Sequence, residues 1–298
     1  MWLLFGVLKL FTWLPLSWSL ALGSYIGGLI YHLAGSRRRI AQINLRQAFP
    51  DYTDAQIKQL NQSCFRSLGR SIFETGYAWF GKTRKLKKYC TIEGQHYLNT
   101  AIKKGKGVIL LTGHFTTLDI GARMIGFYAA PYNGVYKKAH NPLFNAMMVY
   151  CRELYGDELI ENKNVRAVIR GLKKGHATWF APDQDFATQD IVFTPYLGGM
   201  ASTLTATTKM AKITGATVVP FYPVRIKNHS ADRKYLYKIV VMPPLENFPS
   251  DDINRDSARI NHSIEAMVYA NPTEYGWMHK RFKTTPDRKN NFYSLGNF

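Results

Sequence analysis

His114 and Asp119 are the first residues whose types and spacing point to chemistry. They lie in "GVILLTGHFTTLDIGARMIG", Gly107 to Gly126. An apolar run stops at Gly113, the histidine follows at once, and the aspartate comes five positions later. Of eight histidines, only His114 has an acid at that spacing. An imidazole near neutral pH can take the proton of a hydroxyl as that hydroxyl attacks. A carboxylate on Nδ1 fixes the tautomer and leaves Nε2 as the base. Residues five apart on a regular helix diverge by about 140° in azimuth. The pair therefore requires His114 in a turn and Asp119 in the first turn of the following helix. Plainer readings stay open: Thr116 with Asp119 also fits a capping box, and Asp119 with Arg123 an i,i+4 ion pair. No serine or cysteine nucleophile lies nearby in sequence, so the base would act on a hydroxyl of the substrate.

The elements that must hold this pair follow from the pattern of the chain. "KGVILLT" is a short continuous apolar run, as in a strand buried on both faces. Helical segments follow in "TTLDIGARMIGFY", in "NPLFNAMMVYCRELYG" with its Asn-Pro start, in "NVRAVIRGLKKG" closed by Gly175, and in "TLTATTKMAKITG". Strand candidates are "YNGVYKK", "HATWFAPDQD", "ATVVPFYPVRI" and "KYLYKIVVMPPLE". Such alternation implies an α/β layered fold. The first 80 or so residues read as helical, and the last segment, "TPDRKNNFYSLGNF", as loosely held.

From Leu10 to Ser36 the chain carries no Asp, Glu, Lys or Arg. About 20 apolar residues suffice to span a bilayer. Trp13, Trp18 and Tyr25 suit membrane interfaces, while Pro15 and three glycines weaken a straight helix. We expect a membrane helix in residues 1–36 and one α/β domain in residues 37–298. Arg37, Arg38 and Arg39 follow the apolar stretch, which places the body on the cytoplasmic side. The 298 residues carry 39 Lys and Arg against 20 Asp and Glu, a net +19. That excess calls for an acidic partner: anionic lipid, a phosphorylated substrate, an acidic protein or nucleic acid. The three cysteines, Cys64, Cys90 and Cys151, show no metal-type spacing, and no metal site is expected.

Other residues are candidates for binding. Gly198 and Gly199 read as a turn feeding a Ser/Thr-rich helix start, which can hold an anion, or as a plain loop. Asp183 and Asp185 end a strand and would position the acceptor or neighbouring arginines, or lie in a solvated turn. Arg152 and Arg225 rank above Arg166 and Arg170 as phosphate or carboxylate partners. Arg123 would serve Asp119 or the substrate. "WMHKRFK" mixes aromatic and basic residues, as at a lipid interface or a single-stranded nucleic acid.

With "GVYKKAHNPLFNAMM", "GLKKGHATWFAPDQDF", "VFTPYLGGMASTLTATTKMAKITGATVVPFYPVR" and "YGWMHKRFKTTP" set beside the H-x-x-x-x-D motif, the chain resembles the lipid A late (secondary) acyltransferases, the lauroyl type more than the myristoyl. The resemblance implies a glycerolipid acyltransferase-like fold, with a mixed, mostly parallel sheet flanked by helices. It implies transfer of an acyl chain from acyl carrier protein to a hydroxyl of a phosphorylated, Kdo-bearing lipid A precursor at the bacterial inner membrane. His114 would be the base and Asp119 its orienter; Arg152, Asp183, Gly198, Gly199, Arg225 and Arg123 would contact substrate. No cofactor and no nucleic-acid partner is implied. The alternatives are an acyltransferase for a glycerophospholipid or another glycolipid, and a membrane-associated nucleic-acid-binding protein.

Overall fold

In a computed structural model, residues 1–129, 131–226, 236–287 and 292–293 are described. The helical N-terminal part consists of α1 (Trp2–Phe11), α2 (Leu16–Leu33), α3 (Gly35–Ala48) and α4 (Asp54–Phe80), followed by the short α5 (Thr83–Lys87). Thr53 and Gln56 close a reciprocal capping box at the start of α4, satisfying backbone N–H groups that otherwise lack partners.

The expected membrane helix is not one helix. The chain breaks between Phe11 and Leu16: the first helix ends at its C-cap Thr12, and Pro15 stands at the N-cap position of the second. Among the described residues, no helix is long and apolar enough to cross a membrane. Nor does the segment stand apart from the body. A Cβ on Gly23 would meet the Gly69 carbonyl oxygen at 2.7 Å, and one on Gly27 would clash with the backbone of Phe65. Only glycine lets α2 lie this close to α4, the small-xxx-small packing of closely apposed helices. The opposite side of α1 and α2 stays bare, with Leu3, Trp13, Trp18, Tyr25 and Leu33 all exposed.

The body is a seven-stranded sheet. Its strands are β1 (Cys90–Glu93), β2 (Val108–Leu111), β3 (Tyr132–Tyr136), β4 (Leu159–Glu161), β5 (Ala177–Phe180), β8 (Thr217–Arg225) and β9 (Tyr237–Val241), in the order β1-β9-β8-β2-β5-β3-β4. Every neighbouring pair is parallel except β8 with β9. The expectation of a mostly parallel sheet flanked by helices holds. β6 (Ile191–Tyr196) and β7 (Gly199–Leu204) form a separate hairpin. The helices α6 (Gln95–Lys103), α7 (Leu118–Ile125), α8 (Pro142–Glu153), α9 (Val165–Lys173), α10 (Ala206–Thr214) and α11 (Ile253–Ala270) complete the layers. Along β2, Ile109 and Leu111 enter one core while Val108 and Leu110 enter the other, the two-residue alternation of a central strand.

Of the tail expected to be loose, most lies outside the described residues. Tyr293 is described and is buried, its hydroxyl donating to Asn44 Oδ1 at 2.7 Å.

Candidate active site

The parallel register of β2 and β5 builds the site. Leu111 pairs with Phe180 at their C-terminal ends. Three residues beyond Leu111 comes His114; three beyond Phe180 comes Asp183. Two parallel strands leave the sheet side by side, so residues equally far past a registered pair meet. The Thr112 amide still donates to the Phe180 carbonyl at 3.1 Å, extending the register past the strands. In open α/β sheets this carboxyl edge is where ligands bind.

His114 Nδ1 lies 2.6 Å from Asp183 Oδ1, and the His114 amide donates to Asp183 Oδ2 at 2.8 Å. The one carboxylate thus grips both the ring and the backbone of the histidine. Gly113 permits the approach: a Cβ there would meet Ile264 at 3.0 Å and Asp183 Oδ2 at 3.2 Å. From the other side, the Thr116 amide donates to the Glu274 carbonyl at 2.6 Å and Phe115 bridges to Tyr275. The side chain of Asp183 is 1% exposed, that of His114 36%. The acid is sealed and the base is open.

Burial pulls the His114 pKa down, but the charge and hydrogen bond of Asp183 outweigh it and leave the imidazole above its ordinary value; nearby Arg152 opposes the rise. Burial pushes Asp183 up, yet the imidazole and the His114 amide hold it down at about 2. The carboxylate therefore stays ionised, Nδ1 carries the proton it accepts, and Nε2 is the nitrogen left for a substrate.

Asp119 does not orient His114. It sits in the first turn of α7, as required, but its carboxylate turns to the helical N-terminal part. Oδ1 accepts from Arg152 Nε and Nη2, each at 2.8 Å, and from Trp79 Nε1 at 3.1 Å; Thr75 Oγ1 donates to Oδ2 at 3.3 Å. The stronger donor fork of Arg152, delivered by α8, outcompetes a ring already held elsewhere. The i,i+4 pair with Arg123 is not made either. The capping reading fails as well: Thr117, not Thr116, occupies the cap position of α7 and makes no side-chain cap bond. Asp119 and Arg152 remain beside His114, part-exposed, as a second charged pair of the site.

No thiol competes for the nucleophile's role. Cys64, Cys90 and Cys151 are buried and free, and burial pushes all three up, Cys90 to about 12 and Cys151 to about 11. Thiols that protonated are inert. Among the described residues, no group of three or more His, Cys, Asp or Glu is placed to hold a metal ion.

A family model described as bacterial lipid A biosynthesis acyltransferase matches residues 1–284. The lipid A biosynthesis lauroyltransferase of Escherichia coli is 32% identical over 287 residues, covering 96% of this chain and 92% of that protein. The palmitoleoyltransferase of the same pathway and organism is 31% identical, with 98% and 94% covered. A lipid A biosynthesis acyltransferase of Haemophilus influenzae is 34% identical over 273 residues, 90% and 85% of the two chains. The chain belongs to the lipid A biosynthesis acyltransferase family.

Four of the residues expected to touch substrate serve the architecture of this acyltransferase instead. Arg225 is buried at the end of β8. Its Nε donates to Glu74 Oε1 at 2.6 Å, Nη2 to Glu74 Oε2 at 2.5 Å and Nη1 to Ser67 Oγ at 2.6 Å. Glu274 lies 3.8 Å away. Glu74 and Glu274 more than offset the burial that would lower its pKa, so the guanidinium is firmly charged and has no face for a ligand. Arg123 is buried too, capping the last carbonyls of α4 at Tyr77 and Ala78, with its guanidinium 3.4 Å from the Tyr155 ring centre. Gly198 belongs to the two-residue turn of the β6–β7 hairpin, where Leu197 and Gly198 both have positive φ, the requirement of a type I′ turn. The Gly198 carbonyl accepts from Gln47, and Gly199 packs on Phe282. Neither glycine feeds a helix, since α10 starts at Ala206. The pair lies in a hairpin connection, not at a helix start.

Asp185 ties the hairpin to the C-terminal segment. Its carboxylate accepts from Ser202 Oγ, Thr284 N and Thr284 Oγ1, each at 3.0 Å, and its amide donates to His279 Nε2 at 3.0 Å. Of the eight residues singled out, the structure gathers His114, Asp183, Asp119 and Arg152 at one place. Trp79 and Thr75, which hold Asp119, carried no sequence signal, because they sit 40 and 44 residues away on a helix.

Breaking the Arg225 cluster tests the structural assignment. Arg225→Met would leave Glu74 and Glu274 buried without their cation, which costs about 3–5 kcal/mol. Urea unfolding should show that loss. An unfolding midpoint equal to the parent's would contradict it.

Proposed function

We propose that the protein transfers a fatty acyl chain from acyl carrier protein to a hydroxyl of a phosphorylated lipid A precursor of the Kdo-lipid IVA type. The observation that carries this reading is the open His114 imidazole locked to the sealed Asp183 carboxylate, in a chain matched by the lipid A acyltransferase family over residues 1–284. His114 Nε2 takes the hydroxyl proton as the hydroxyl oxygen bonds to the thioester carbonyl carbon. Negative charge gathers on the carbonyl oxygen, and Arg152, with Nη1 outside its Asp119 pair, is the cation at hand to meet it. The intermediate collapses, the carbon–sulfur bond breaks, and His114 returns the proton to the departing carrier thiolate. Asp183 holds Nδ1–H throughout and stabilises the transient imidazolium. The thioester already carries the activation, so the chemistry needs no cofactor.

The acceptor is a lipid, and the bare apolar face of α1 and α2 fits one leaflet of a bilayer without crossing it. Phe5 of α1 packs 6.2 Å from Trp79 and 6.4 Å from Phe144 between ring centres. Trp79 in turn holds Asp119. The apolar helix α1 therefore abuts the charged pair of the site, which suits delivery of a membrane-embedded acceptor on the cytoplasmic side of the inner membrane.

The test is mass spectrometry of lipid A from a strain with and without this protein. Loss of one acyl chain from lipid A, with phospholipids unchanged, is the expected result. An altered phospholipid profile with intact lipid A would move the activity to a glycerophospholipid.

A further inference from the structure

A basic surface lies beside the bare apolar helices, built from residues far from them in sequence. Lys82, Arg84, Lys85, Lys87 and Lys88 place five cations in seven residues, on and around α5. All but the partly covered Lys85 are exposed. Leu86 at the centre is fully buried, which pins the segment down and turns the charges outward. Arg123 Nη2 donates to Thr83 Oγ1 at 2.9 Å and fixes its start.

Two contacts tie this segment to the break between α1 and α2. Lys85 Nζ donates to the Leu14 carbonyl at 3.4 Å and lies 5.8 Å from the centre of the Tyr77 ring. The Tyr77 hydroxyl lies 2.9 Å from the Phe11 carbonyl oxygen and 2.5 Å from that of Leu14, and its one proton is shared between them. The break itself presents Trp13, 76% exposed. Basic side chains and an exposed indole thus share one edge of the molecule.

Among the described residues, these cations have no counter-ions of their own. Residues 1–50 and 75–92 contain no Asp or Glu. The flanking acids are engaged elsewhere, Glu74 with Arg225 in the interior and Glu93 with Lys238 at 2.6 Å. Among the described residues, none of the five cations forms an ion pair with a carboxylate.

We propose that the Lys82–Lys88 segment is a docking surface for the anionic headgroups of the bilayer in which α1 and α2 rest. It deepens the membrane reading above and rests on it. An acidic protein would require the charges alone. Charges that border exposed Trp13 and Leu14 match the layered chemistry of an interface, with phosphate outside and acyl chains within. Each Lys or Arg held at an anionic surface strengthens partitioning about fivefold, so four together give about a hundredfold or more.

The experiment is flotation of the full chain with two kinds of vesicle, phosphatidylcholine alone and the same lipid with about a third phosphatidylglycerol. The parent is compared with Lys82→Glu/Arg84→Glu/Lys87→Glu/Lys88→Glu; Lys85 is spared because it holds Leu14. The parent should bind the anionic vesicles about a hundredfold more tightly or better, and the advantage should shrink with salt. The variant should bind phosphatidylcholine as the parent does and lose the anionic preference. A variant that keeps the preference overturns the proposal, and so does one that keeps it while losing affinity for acyl carrier protein. A parent that binds neither vesicle ends the membrane reading and the proposal with it.

Discussion

His114→Ala should lower kcat for acyl transfer by about 10²–10⁴-fold, the span that general-base catalysis contributes. The acceptor hydroxyl is far too weak an acid to ionise unaided near neutral pH, so attack on the thioester needs a base as it develops. Nε2 of His114 is the nitrogen of that ring left for a substrate, because Nδ1 is spent on Asp183; His279 Nε2 accepts from the Asp185 amide. Removing the ring leaves the sealed Asp183 carboxylate with the backbone amide of residue 114 but without its imidazole partner, so stability should fall as well. Slow hydrolysis of the thioester in the absence of acceptor, in which water replaces the hydroxyl, should fall with it. The check is a steady-state assay with acyl carrier protein as donor carrier, beside an unfolding curve of the same preparation.

Asp183→Asn should cost a comparable factor, about 10²–10⁴ in kcat, for a different reason. Asp183 accepts two N–H groups from one residue, the His114 amide and Nδ1–H. An asparagine has a single acceptor oxygen. With that oxygen on the backbone amide, its NH₂ faces the ring and donates to Nδ1, which moves the ring proton to Nε2 and removes the base. No anion then remains to stabilise an imidazolium. Asp119→Asn is the informative contrast. It loosens the grip on Arg152 and so weakens stabilisation of the oxyanion, but leaves the tautomer of His114 alone. Its loss should fall on kcat without moving the pH dependence. A tenfold-smaller loss at Asp183 than at Asp119 would return the orienting role to the motif aspartate.

The difference between these two aspartates shows what the chain order reveals and what it hides. "KGVILLTGH" and "ATWFAPD" were both readable as buried strand ends, and the α/β layering followed from their alternation with helices. That the two strands are neighbours was not readable, because adjacency in a parallel sheet depends on crossovers and not on sequence distance. Once β2 and β5 pair in register, His114 and Asp183 meet by counting three residues past each strand. Spacing within one motif had favoured Asp119, the nearer acid, but a helix start aims its first turn outward to whatever packs there, here Trp79 and Arg152. Arg225 and Arg123 misled for the opposite reason. Net charge counts cations without saying which are buried, and both guanidiniums satisfy carboxylates or helix ends from distant segments. The charge-free N-terminus reads as a membrane helix, yet among the described residues no helix is long and apolar enough to cross a membrane, and Gly23 and Gly27, which weaken a spanning helix, form the contact surface for α4. The β6–β7 hairpin is not legible in the sequence, because "LGG" reads as a generic turn until its partner strands are known.

The pH dependence of kcat/KM, which reports the base of the free enzyme, tests the central claim most directly. The active form carries a neutral imidazole, so the rate must fall as pH drops through the His114 pKa. In the parent that acid limb should lie above the ordinary histidine value of about 6.5, because Asp183 more than offsets burial. In Asp183→Asn the carboxylate is gone while burial and the Arg152 charge remain, and both lower the pKa. The residual activity should therefore show its acid limb shifted to lower pH, below about 6.5. An acid limb at the same pH in parent and Asp183→Asn, or one that moves only with Asp119→Asn, would contradict the assignment of His114 and Asp183 as the working pair.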